Sequence, residues 1–179
     1  MADIVQKSTR EIYRNPWMRL REDEIERRDG SMGIYGVVEK VDFAVIAAIQ
    51  DGLIHMVEQY RYPVGARYWE LPQGALRDGS GATPEQVAAT ELEEEAGVIA
   101  ARMERIGFLH ACYGFSDHGY HVFLATDLTV GPPKREAEEV DMVSRAMPLT
   151  EVLDMIRKGT ITDAHTVAAL SLLKLHGKI

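Results

Sequence analysis

Between Thr83 and Gly97 the sequence TPEQVAATELEEEAG carries Glu85, Glu91, Glu93, Glu94 and Glu95 and no lysine or arginine. Thr83 suits an N-cap, Pro84 the first helical position and Gly97 the C-cap. Gln86 can close a capping box, so the spacing predicts a helix over 84–96. At 100° per residue, Glu91, Glu94 and Glu95 fall within about a 100° arc, and Ala88, Ala89, Leu92 and Ala96 occupy the neighbouring arc facing a core. Alone, this helix is poorly stable. Like charges at i,i+3 and i,i+4 each cost about 0.2–0.5 kcal/mol, and Glu94 and Glu95 stand in the last turn, where the helix dipole disfavours anions. Two readings follow. One is a solvated acidic face. The other is a site for a hard cation such as Mg²⁺ or Mn²⁺, which choose carboxylate oxygens and complete their shells with water and substrate phosphate.

The elements that must position this helix are legible in part. Residues 1–40 are polar and charged, with Asn15-Pro16 and Asp29-Gly30 as turn signals and strand candidates at 20–27 and 33–41. FAVIAAI (43–49) reads as a buried strand, Asp51-Gly52 as a two-residue hairpin turn, and LIHMVEQY (53–60) as the partner strand. Further strands are expected at 105–112 and 120–128, a Gly/Pro/charged loop at 129–139, and helices over 149–158 and 163–176. This order implies an α/β sandwich.

Composition bounds the rest. The chain has 179 residues, 46% of them apolar and 27% charged, enough for a core without staples. A formal charge of −8 and a pI near 5.3 argue against general nucleic-acid binding, which needs a basic footprint. A single cysteine, Cys112, excludes an internal disulfide and a cysteine-based metal cage. It is expected in the core rather than as a nucleophile. No apolar run approaches membrane-spanning length and the first residues lack an apolar leader segment, so a cytoplasmic protein without membrane contact is expected.

Gly74 together with Glu91-Leu92-Glu93-Glu94-Glu95, Gly97 and Val98 resembles the Nudix box, GX5EX7REUXEEXGU with U aliphatic. The upstream WELPQG (69–74), the opening NPWMRLREDEIERRDG (15–30) and PLTEVLDMIRKGTITDAHTVAALSLL (148–173) resemble the ADP-ribose or nucleotide-sugar branch of that family. There are departures. Ala82 stands at the first glutamate of the box and Thr90 at its arginine, and Gly74 lies two residues further upstream than the pattern has it. In the family those two residues support loop geometry and often pair, so losing both strands no single charge. Tyr113 stands where ADP-ribose-cleaving relatives often have proline, and His118 where they frequently have an acid.

The resemblance implies a Nudix-type α/β/α sandwich with a mixed sheet. It also implies a small N-terminal β segment (1–40) that serves dimerisation, and a hydrolase domain over 41–179. By the same resemblance Glu91, Glu94 and Glu95 are the metal ligands, with Gln73 adding its backbone carbonyl. Glu136 or Glu138, in a late acidic loop, is the base or an extra ligand, alongside Glu94. Arg61 is implied to contact the substrate's phosphates or sugar, as a bidentate guanidinium suits a diphosphate. Glu70 is implied at the nucleotide end and Trp17 as a stacking residue. The expected activity is Mg²⁺-dependent hydrolysis of a nucleoside diphosphate linked to another moiety, with ADP-ribose giving AMP and ribose 5-phosphate as the leading case. GDP- or UDP-sugars and dinucleoside polyphosphates are alternatives, as are a non-catalytic nucleotide-sugar sensor and an oligomeric scaffold with a vestigial site. A homodimer is the expected assembly.

Overall fold

The computed structural model describes residues 3–75, 81–135 and 141–179. It divides into two compact units, Met1–Asp42 with His110–Tyr120, and Phe43–Leu109 with His121–Ile179.

In the first unit, β1 (Ile4–Arg14), β2 (Arg19–Arg27) and β3 (Met32–Glu39) form an antiparallel three-stranded sheet in the order β1-β2-β3. Every residue of β1 is exposed. Its polar, non-alternating sequence therefore carries no period-2 signal, which is why no strand was expected there. Arg19 and Arg21 pair with Glu39 across β2 and β3, and Arg21 also with Asp23 within β2, so charged side chains surround the buried Ile25 of β2. Cys112 is exposed, not buried as expected. It lies two residues past the end of a strand at His110, just before the turn at 113–115.

The second unit holds a seven-stranded sheet. It runs β10 (Val143–Pro148), β5 (Leu53–Arg61), β4 (Phe43–Gln50), β9 (Gly119–Val130), β8 (Val98–His110), with β6 (Ala66–Glu70) on β5 and β7 (Gln73–Ala75) on β4. Asp51 and Gly52 both have positive φ (52° and 75°), the backbone of a tight two-residue hairpin between β4 and β5. Three helices complete the unit: α1 (Pro84–Ala96), α2 (Leu149–Arg157) and α3 (Ala164–Leu175). Ala44, Ile46 and Ala48 of β4 pack with Ala88, Leu92 and Ala96 of α1, together with Val57, Phe123 and Met142. Val45 and Ala47 alternate to the opposite face and are equally buried, and α3 also packs on β4. The sheet is mixed and sandwiched between helices. Among the described residues no helix is long and apolar enough to cross a membrane.

One part of the helix expectation needs correction: Ala89 is exposed and Val87 takes its place on the apolar face. Within the acidic arc, Glu95 is 2% exposed.

Gly97 ends α1 at φ 69°, its N–H reaching back to the carbonyls of Glu93 and Leu92. A Cβ there would meet the backbone of the 131–133 segment, including Pro133 N at 2.7 Å. Gly97→Ala thus combines a left-handed backbone with a clash against main chain. We expect it to cost at least about 1–3 kcal/mol, read as a lowered thermal midpoint; an unchanged midpoint would contradict this packing.

Candidate active site

The capping box at the start of α1 is complete, with Thr83 Oγ1 accepting from Gln86 N and Gln86 Oε1 accepting from Thr83 N. The first turn is thereby fixed, and the acidic last turns are held at a defined position over β7. Glu95 is buried and its Oε2 accepts the backbone N–H of Gln73 at 3.0 Å. Glu91 is half-buried and lies on Gly74: a Cβ on that glycine would overlap the Glu91 side chain from Cγ to Oε1. Glu94 is also half-buried. The β7 residues Gln73 and Gly74 are themselves paired to Val45 and Ala44 of β4, so the helix carboxylates meet a backbone that the sheet holds still.

The excess negative charge of α1 finds compensation from outside the helix. Lys134 Nζ pairs with Glu93 at 2.5 Å, and Lys134 N donates to the Glu94 carbonyl at 3.0 Å. A cation beside a helix C-terminus is favoured by the dipole as well as by the carboxylate. Glu93 is thus an ion-paired residue, while Glu91 and Glu95 engage the β7 strand.

Arg61 and Glu70, read separately from the sequence, are partners. Glu70 is 2% exposed, and its carboxylate accepts from Arg61 Nη2 at 2.5 Å, from Arg61 Nε at 3.1 Å and from Gln59 Nε2 at 2.7 Å. Burial pushes the Glu70 carboxyl upward, Arg61 opposes that shift, and the nearby Asp163 adds to it. Register puts them on one face of the β5–β6 ladder but at its two ends, with Val57 opposite Glu70 and Arg61 opposite Ala66, so the long Arg61 side chain reaches back along β5 to meet Glu70. Arg61 remains partly open to solvent, its side chain 40% exposed.

The remaining expected residues lie elsewhere. Trp17 belongs to the first unit and is 69% exposed, in a turn where Asn15 Oδ1 accepts from Trp17 N and Met18 N. Glu136 and Glu138 lie outside the described residues. The chain is anchored on both sides of that segment, by Lys134 on α1 and by Arg67, which donates to Asp141 Oδ2 and to the Asp141 carbonyl, each at 2.7 Å. His118 meets Ser116 Oγ at 2.6 Å, and His121 packs between Phe108 and Phe123. One contributor gave no signal in sequence. Thr166, fully buried on α3, accepts the Leu71 N–H at 2.9 Å.

A family profile described as the NUDIX domain matches residues 40–170. The chain belongs to the Nudix family. A second profile, the nucleoside diphosphate sugar hydrolase N-terminal domain, matches residues 6–38. The Nudix chain is 36% identical to an ADP-ribose pyrophosphatase of Mycobacterium tuberculosis over 91% of its length and 79% of the relative's. It is 37% identical to an ADP-ribose pyrophosphatase of Bacillus subtilis, over 74% and 71%. A methanol dehydrogenase activator of Bacillus methanolicus is 32% identical over 93% and 90%. A crystal structure of an ADP compounds hydrolase superposes with a TM-score of 0.84 at 19% identity, covering 100% of this chain and 98% of the other, and so shares the fold.

This protein is therefore a Nudix pyrophosphohydrolase that cleaves a nucleotide-linked pyrophosphate. Nudix hydrolases use divalent cations, and the donors on α1 fit one. They are hard carboxylate oxygens, one of them buried, beside a glycine whose missing side chain leaves room for Glu91. Among the described residues, no three His, Cys, Asp or Glu side chains are already gathered into one cage. Glu91 and Glu95 sit on two consecutive residues of β7, Gly74 and Gln73. The departures from the box are also explained: Ala82 packs against the apolar cluster under α1 and Thr90 is exposed, so neither site holds a stranded charge.

Proposed function

We propose that this Nudix enzyme hydrolyses ADP-ribose to AMP and ribose 5-phosphate with Mg²⁺, Mn²⁺ being able to substitute. The observation that carries the metal assignment is the seating of Glu91 on Gly74 with Glu95 on the amide of the preceding residue, Gln73. Glu91, Glu94, Glu95 and the Gln73 carbonyl would hold the cation. When bound, Mg²⁺ supplies Lewis acidity to phosphoryl oxygens and lowers the pKa of water. A carboxylate, Glu94 or one of Glu136 and Glu138, takes the proton of the attacking water. Arg61, fixed by Glu70, presents its remaining guanidinium face to the diphosphate, where a planar fork suits paired oxygens. Trp17 offers an exposed ring for stacking on the base.

Support for ADP-ribose comes from the two ADP-ribose pyrophosphatase relatives. The assembly we propose is a homodimer through the N-terminal sheet, where Ile4, Val5, Ile12, Tyr13, Met32 and Ile34 are all exposed. The compartment proposed is the cytoplasm, in keeping with a chain that has one cysteine.

The test is product release from ADP-ribose, GDP-mannose, UDP-glucose and diadenosine polyphosphates, with Mg²⁺ and with Mn²⁺. AMP from ADP-ribose at the highest kcat/KM supports the reading. Preference for another compound moves the substrate within the class. Binding with thermal stabilisation and no product on any compound replaces hydrolysis by sensing.

A further inference from the structure

Leu71 and Pro72 lie between β6, which ends at Glu70, and β7, which starts at Gln73. They are fully or almost fully buried, yet they belong to neither strand. A buried backbone N–H outside a ladder needs another partner. Pro72 has no N–H, and its carbonyl accepts from Ile46 N at 2.9 Å. The Leu71 N–H is served by Thr166 Oγ1, which comes from a helix 95 positions later in the chain.

Thr166 is itself fixed. Asp163 caps α3, its carboxylate accepting from Thr166 N at 2.8 Å and from His165 N at 3.4 Å. His165 Nδ1 stands 3.3 Å from the same carboxylate and packs edge-on against Phe43. Burial alone would raise the Asp163 carboxyl, but these hydrogen bonds outweigh it and hold it at about 2, so it stays ionised.

The two residues flanking the Leu71–Pro72 step carry both halves of the site. Glu70 holds Arg61, and the Gln73 amide holds Glu95. We propose that Thr166 is a positioning residue for the hydrolysis: through Leu71 its hydroxyl sets the Glu70–Arg61 pair and the Gln73–Glu95 contact together. This rests on the roles proposed above for Arg61 and Glu95. The C-terminal helix thereby governs cation affinity and substrate affinity without touching either.

The test compares Thr166→Val, which keeps the shape and removes the acceptor, with Thr166→Ser, which keeps it. Mn²⁺ affinity is read by calorimetry, and KM and kcat on ADP-ribose by product release. Thr166→Val should bind Mn²⁺ about tenfold more weakly and show a raised KM, as supporting partners of metal ligands typically cost 10–100-fold. Thr166→Ser should restore both. A Thr166→Val protein that melts lower but keeps wild-type Mn²⁺ affinity and KM overturns the proposal, since it leaves only a structural role. Should Thr166→Val not fold, the wild-type protein carries the test by hydrogen exchange. Mg²⁺ should then protect the Leu71 and Gln73 amides together, and protection of Gln73 alone overturns the coupling. Glu95→Gln separates the two layers. If it binds Mn²⁺ as the wild type does, the metal-site reading falls and this proposal with it. If it loses Mn²⁺ while Thr166→Val does not, only the positioning falls.

Discussion

Glu95→Gln lowers kcat on the pyrophosphate substrate by more than about 100-fold, because even supporting partners of metal ligands cost 10–100-fold. The substitution is close to isosteric, and the Gln side-chain oxygen can still accept the Gln73 N–H that Glu95 Oε2 accepts now. Packing around this 2% exposed side chain is therefore kept. What is lost is one negative charge at a buried position on a helix that already carries several. Neutralising it removes part of the burial cost of a carboxylate, so the thermal midpoint without divalent cation should hold or rise. The stabilisation that Mg²⁺ gives to the wild type should shrink sharply, since a ligand stabilises only in proportion to its binding to the native state. Glu93→Gln is the contrasting variant. Glu93 pairs with Lys134 instead of β7, and its loss should leave kcat within about twofold while weakening a partly exposed ion pair worth at most about 1 kcal/mol. Wild-type turnover in Glu95→Gln would remove Glu95 from the site.

How much of this was readable from the chain alone depends on where each signal resides. Helix α1 was legible because its capping residues, its proline and its terminal glycine are local features that need no tertiary partner. The hairpin at Asp51-Gly52 was legible for the same reason. Strand β1 was not, because all eleven of its residues are exposed and a strand without a buried face has no alternation to read. Strands β6, β7 and β10 are only three to six residues long and sit among loops.

For the site, charge type and spacing identified the acids of α1, but not which of them would be buried. Glu95 follows Glu94 directly, and only the seat of the helix on β7 turns one inward to the Gln73 amide. Arg61 and Glu70 were visible as separate polar residues; the register sets them on one face at opposite ends of a ladder, and their pairing depends on how far the Arg61 side chain reaches. Thr166 looked like any threonine in an apolar helix. Its value lies in a backbone amide 95 positions away, which no local pattern encodes.

Gly74→Ala offers the sharpest separation of site from scaffold. The glycine sits in β7 opposite Ala44, without a positive φ, so alanine meets no backbone restriction there. What a Cβ would meet is the Glu91 side chain, which it would overlap from Cγ to Oε1. A half-buried glutamate near the end of a helix can swing to another rotamer, so the fold should absorb the change. Stability should move by less than about 1 kcal/mol, the range of a compatible Gly→Ala replacement, in which a stiffer unfolded chain offsets the lost rotamer. Function should not be spared. Moving a reacting or ligating group by about 1 Å typically costs on the order of 100-fold, and the displaced carboxylate moves further than that. The expected protein thus melts like the wild type, loses about two orders of magnitude in kcat/KM, and needs more Mg²⁺ to reach half-maximal rate. If Gly74→Ala keeps full activity, Glu91 does not work from its seat on β7, and the metal assignment would have to shift to Glu94 and Glu95 alone.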